Sequence, residues 1–118
     1  MEFPVEIWLR GDNHATTTMI DPVTREPRAW TDADVVAVLE GMLRALERAK
    51  HPDADEDRPV ALRGFSWIVN PFEGGVLIAI EMTLGAVVGG PFDVSERDLT
   101  AKIQRVMSAH RAGAQTIH

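Results

Sequence analysis

Hydrophobic and polar positions alternate from the start of this chain, in "FPVEIWLR". Val5, Ile7 and Leu9 fall on one side, and Glu6, Trp8 and Arg10 on the other. A period of two predicts a half-buried strand. Gly11–Asn13 follow with turn chemistry. "HATTTMI" then carries the β-branched content of a second strand. A hairpin closed on Gly11–Asn13 would place Val5, Ile7, Ala15, Thr17 and Met19 on one face. Glu6, Trp8, His14 and Thr16 would share the other.

Pro22 and Pro27 interrupt the pattern, and it resumes with a helical period. Thr31 is placed to cap, with Asp34 three residues on. Trp30 and Val35 flank the cap as a hydrophobic staple. This predicts a helix over Asp32–Lys50, stopped by Pro52. The stretch "VALRGFSWIV", Val60 to Val69, and "GVLIAIEMTL", Gly75 to Leu84, read as two further strands joined by the turn "NPFEG". "VVGGPFD" reads as a bend. Ser95, Asp98, Val94 and Leu99 then repeat the cap and staple, predicting a second helix over Glu96–Ala112. The terminal "GAQTIH" is expected to fray.

The expected order is therefore β-β-α-β-β-α. That order suits an α+β two-layer sandwich: a mainly antiparallel four-stranded sheet with two helices on one face. At 118 residues the chain is expected to form a single domain, 1–118.

Glu81 stands alone as a charge in the most apolar stretch, Gly74 to Gly90. Two registers are open to the last hairpin. In the better one, Phe65, Trp67, Ile78, Ile80 and Met82 share the core face. Glu81 then lies opposite, among Leu62, Gly64, Ser66, Ile68, Leu77, Ala79 and Thr83. The other register slips by one residue and sets Phe65 and Trp67 beside Ala79 and Glu81. Glu81 thus marks the face that the helices leave open, as an exposed residue, an oligomer contact or a ligand carboxylate.

The first helix is apolar over more than half its circumference: Val35, Val36, Val38, Leu39, Met42, Leu43 and Leu46. Ala37, Gly41 and Ala45 add a row of small residues at a spacing of four. Gly41 costs about 1 kcal/mol against Ala inside a helix, so close packing must compensate. The row can meet the second helix or the same helix of another subunit.

Composition narrows the function classes. A net charge of −6 and no basic stripe disfavour nucleic acid as a partner. The apolar run from Val76 to Val88 is too short to cross a membrane and holds Glu81, Thr83 and Gly85. The first residues carry an early Glu and no secretory pattern, so a cytoplasmic protein is expected. Without cysteine there is no disulfide, thiolate site or Cys nucleophile.

Single residues offer little chemistry. His110 falls in the apolar stripe of the second helix, at its C-terminal end, where the dipole favours a cation. It reads as a packed end-of-helix residue before it reads as an acid or base. His14, His51 and His118 lie on different elements, and no pair has zinc-ligand spacing. "DADED", Asp53 to Asp57, lacks the Gly and the closing Glu of a calcium loop. No metal or cofactor is expected. "RGD" at 10–12 reads as turn chemistry. Gly89 and Gly90 precede a helix start crowded by Asp93, Glu96 and Asp98, which would repel a phosphate. Ser66 lies within a strand, not on a nucleophile elbow. Phe65, Trp67 and Phe72 have only Arg63 near them, unlike a base-stacking platform.

Two functions fit. The first is a non-enzymatic interaction protein, a homo-oligomer (dimer or tetramer) with a possible protein or peptide partner, using Glu81, Trp8, Trp67 or Gly41 at an interface. The alternative is a small-molecule pocket or enzyme walled by Trp8, Trp30 or Trp67, with Glu81 and His110 as its polar groups.

Overall fold

The computed structural model describes residues 1–53 and 60–115, with side chains described as far as residue 110. The chain runs β1 (Phe3–Leu9), β2 (Thr16–Ile20), a single 3₁₀ turn at Pro27–Ala29 and α1 (Asp32–Lys50). It continues through β3 (Ser66–Phe72), β4 (Gly75–Met82), β5 (Gly85–Phe92) and α2 (Glu96–Gln115). The five strands form one antiparallel sheet in the order β2-β1-β5-β4-β3. Most of the acidic segment Asp53–Asp57 and the last residues, His118 included, lie outside the described residues.

The architecture is α+β, as the pattern predicts, but the sheet has five strands rather than four and the order is β-β-α-β-β-β-α. The additional strand is β5. Its sequence, "GAVVGGPF", reads as a bend because Gly and Pro are poor strand formers. Here they are required by close packing. A Cβ on Gly85 would lie 2.0 Å from the carbonyl oxygen of Trp8, and Gly85 has φ +149°. A Cβ on Gly89 would lie 3.2 Å from both Met42 and Phe3, where α1 and β1 press on the sheet. β5 pairs with β1 on one side and β4 on the other, so the predicted bend is an interior strand.

The β3–β4 hairpin adopts the better of the two registers, pairing Trp67 with Ile80 and Val69 with Ile78. Its turn is shorter than "NPFEG". Only Glu73 and Gly74 stand between the strands, with φ +47° and +82°. Left-handed φ at both central residues is the condition for a type I′ turn, whose twist matches the strands. Pro71 is tolerated because β3 is an edge strand. The segment 60–65, predicted as strand, leads into β3 without joining it.

The first hairpin departs from expectation by one residue. Val5 pairs with Thr18 and Ile7 with Thr16, so Thr16, Thr18 and Ile20 take the core side. Thr17 and Met19 point the other way. The cause is the connection, which spans residues 10–15 rather than 11–13. The Arg10 N–H donates to Leu84 O at 2.9 Å, anchoring this turn to the β4–β5 turn.

Both helices lie on one face. α1 packs on β1, β2, β5 and α2, while α2 packs on β3 and α1. The α1 residues Val35, Val38, Leu39, Met42, Leu43, Ala45 and Leu46 are buried. They meet Phe3, Val5, Ile7, Ile78, Ile80 and Val87 from the sheet, and Leu99, Ile103 and Val106 from α2, in one core. Phe92 joins the layers edge-to-face, with centroids 4.8 Å from Phe3 and 5.1 Å from Trp30. The α1 cap has the predicted form. The Asp34 N–H donates to Thr31 Oγ1 at 3.2 Å, and the Thr31 N–H donates to the Asp34 carboxylate at 3.0 Å. At α2, the Asp98 N–H donates to Ser95 Oγ at 3.1 Å. No helix among the described residues is long and apolar enough to cross a membrane.

Candidate functional site: the open face of the sheet

Two helices cover one side of the sheet and leave the other open. The register puts Glu6, Val88, Ala79 and Ile68 in one row across that open side. Trp8, Ala86, Glu81 and Ser66 form the next row. On the far side of the first row lie Met19 and Pro4 at one end, and Leu77 and Asn70 at the other. Phe72 shares the outward direction of Ile68 and Asn70, two residues further along β3.

Four large apolar residues are exposed: Trp8 at 44%, Met19 at 50%, Ile68 at 53% and Phe72 at 44%. Alternation along β1, β2 and β3 assigns all four to this one face. Small or half-buried apolar residues, Ala79, Ala86, Val88 and Leu77, fill the space between them. The face is therefore an apolar patch, with Glu6 and Glu81 as the carboxylates on its two central rows.

Glu81 lies on the uncovered face, as read from the sequence, and is exposed. It shares a shallow depression of about 490 Å³ with Arg10, Ser66 and Thr83. Trp8 stands one strand beyond Ala86 in the same row. Trp67 is on the opposite, helix-facing side and half-buried. Trp30 is buried, and its indole N–H donates to Arg25 O at 2.9 Å.

His110 is exposed rather than packed into the α2 stripe, and its Nδ1 lies 3.0 Å from Val106 O. It borders a separate hollow of about 470 Å³ with Glu40, Leu62 and Met107. The arrangement thus brings Trp8 and Glu81 together on one face. It does not gather the three tryptophans, Glu81 and His110 around one cavity.

Gly41 faces neither α2 nor open solvent. A Cβ there would lie 3.2 Å from Pro22 and 3.4 Å from Ile20, so the small residue admits the chain leaving β2. Beside it runs a groove of about 520 Å³ between β2 and α1, lined by Thr16, Thr18, Arg44, Ala45, Arg48 and Ala49. Sequence reasoning missed this groove. The available signal was Arg44 and Arg48 at a spacing of four, extending the flank of α1 that holds Gly41.

One pair of perturbed charges links the two helices. Arg105 donates to Asp32 at 2.6 Å and 2.9 Å. That hydrogen bond holds the Asp32 carboxyl below its ordinary value and pushes the Arg105 guanidinium up. The Asp34 carboxyl is lowered chiefly by the hydrogen bond from the Thr31 backbone N–H.

No family model, curated protein or solved structure matches the chain. The open face itself is thus the firmest guide to function.

Proposed function

We propose that this protein works by association rather than catalysis, and that the open face of its sheet joins a second copy of the chain. One observation carries the reading. Every large apolar side chain exposed among the described residues lies on that face. Scattered exposed apolar residues are ordinary, but their concentration on one face marks an interaction surface.

The extent of the face suits a dimer. Five strands about 4.8 Å apart, each about seven residues long at about 3.3 Å per residue, cover roughly 24 by 23 Å. Side-chain relief raises the accessible area above that flat figure. A standard interface hides about 800 Å² on each partner, which is the same order. Sheets also pack face to face with interdigitating apolar side chains. The net charge of −6 opposes self-association in general; on the face itself the middle strand, β5, carries no charge, while its neighbours carry Glu6 and Glu81, with Arg10 near Glu81. This reading needs no cofactor or metal and places the protein's work at a protein–protein contact.

Sedimentation equilibrium of the full chain over a micromolar concentration range provides the test. The expected mass exceeds that of the 13.0 kDa protomer. A protomer mass at every concentration would overturn self-association.

A further inference from the structure

Glu6 is the middle residue of β1, and β1 lies next to the middle strand of the sheet. Its side chain is exposed on the open face. The nearest positions on that face are Pro4 and Trp8 along β1, Thr17 on β2 and Val88 on β5. None of them is charged. Arg10 comes four residues later in the chain, about 13 Å away at about 3.3 Å per residue. It shares its depression with Glu81, not with Glu6.

A two-fold contact presents the same patch from each side. Glu6 stands near the middle of the open face, so any two-fold pairing that covers the face covers Glu6. The charged groups that then face it are the same in both copies. Arg10 comes from the end of β1 and Glu81 from β4, while β2, β3 and β5 supply none. Glu2, Asp12, His14 and Glu73 lie at the rim, outside the strands. Arg63 borders the hollow beside α2. On the strands and their ends, each copy thus brings two carboxylates for one guanidinium group, and that group stands with Glu81.

We infer, on the basis of the open-face contact proposed above, that Glu6 makes this contact acid-sensitive: two copies join more tightly once the Glu6 carboxylate has taken a proton from solvent. Burial disfavours the charged form of a carboxyl group, and a nearby carboxylate disfavours it further. The neutral acid has an O–H to donate, and Thr17 offers a hydroxyl at the next position of the same row. The joined pair therefore binds more protons than two separate copies. Acid moves the equilibrium toward the pair, and the tightening is lost as the pH rises.

Sedimentation equilibrium of the full chain at pH 7.5, 6.5 and 5.5, all above its isoelectric point of about 5.1, tests this. Glu6→Gln and Glu96→Gln are run beside wild type. Both variants lose one negative charge, but Glu96 is exposed at the start of α2, away from the open face. Wild type and Glu96→Gln are expected to pair roughly fivefold more tightly, or better, at pH 5.5 than at pH 7.5. Glu6→Gln is expected to pair more tightly than wild type at pH 7.5 and to lose most of the pH response. If Glu6→Gln fails to fold by circular dichroism, Glu6→Thr, a better strand residue, is read in the same way. A wild-type dissociation constant that does not change with pH would overturn the inference and leave the dimer standing. An equal pH response in wild type and the folded Glu6 variant would do the same. A protomer mass for wild type at every pH would overturn both the inference and the dimer.

Discussion

Asp34 shows how much one side chain settles. It accepts from the Thr31 N–H, closes the capping box at the start of α1, and takes a further hydrogen bond from Arg25 at 3.0 Å. Thr31→Ala removes the reciprocal bond and should lower the stability by about 0.5–2 kcal/mol in a urea titration. Because the folded Asp34 carboxyl is lowered from 3.8, its contribution is complete above pH 3.8 and is lost as the pH falls through the folded value. The stability difference between the wild type and Asp34→Asn should therefore shrink in acid below that point. A difference that stays constant down to pH 2 would mean that the carboxylate does not stabilise the cap. Gly85 is the opposite kind of residue, needed for what it lacks. With φ +149° and the Trp8 carbonyl 2.0 Å from any Cβ, Gly85→Ala must move β5 away from β1. We expect a loss of about 2–4 kcal/mol, read from the thermal or urea midpoint.

At the scale of elements, legibility followed the kind of physics involved. α1 was legible because its cap, staple and apolar period all point to the same start. The prediction of Asp32–Lys50 matches the observed helix. The β3–β4 register was legible because only one choice puts Trp67, Ile78 and Ile80 on the core side together. β5 was not legible. Its glycines lower local strand propensity, and the close approach of β1 and α1 that requires them is a tertiary fact. The β1–β2 register failed for a related reason. Thr16, Thr17 and Thr18 are alike, so side-chain pattern cannot distinguish the two faces, and the turn length decides. Of the candidate site, Glu81 was placed correctly on the open face. The groove beside Arg44 was not foreseen, because which flank of α1 lies against β2 is decided by tertiary packing.

For the whole molecule, the central fact is a sheet with one covered and one open side. The covered side accounts for the core, where Phe92, Leu39, Met42 and Leu46 are fully buried. The open side keeps Trp8, Met19, Ile68 and Phe72 exposed in the single chain, and we read it as the surface that joins two copies. The most direct test is sedimentation equilibrium of wild type, Ile68→Asp and Gln104→Asp at one matched micromolar concentration. Ile68 pairs with Ala79 on the open face, and Gln104 is exposed on α2. Neither change touches the core, so both variants should keep the wild-type circular dichroism spectrum. The account predicts that wild type and Gln104→Asp sediment as the same oligomer, while Ile68→Asp falls to the 13.0 kDa protomer. A folded Ile68→Asp with the wild-type mass would contradict it.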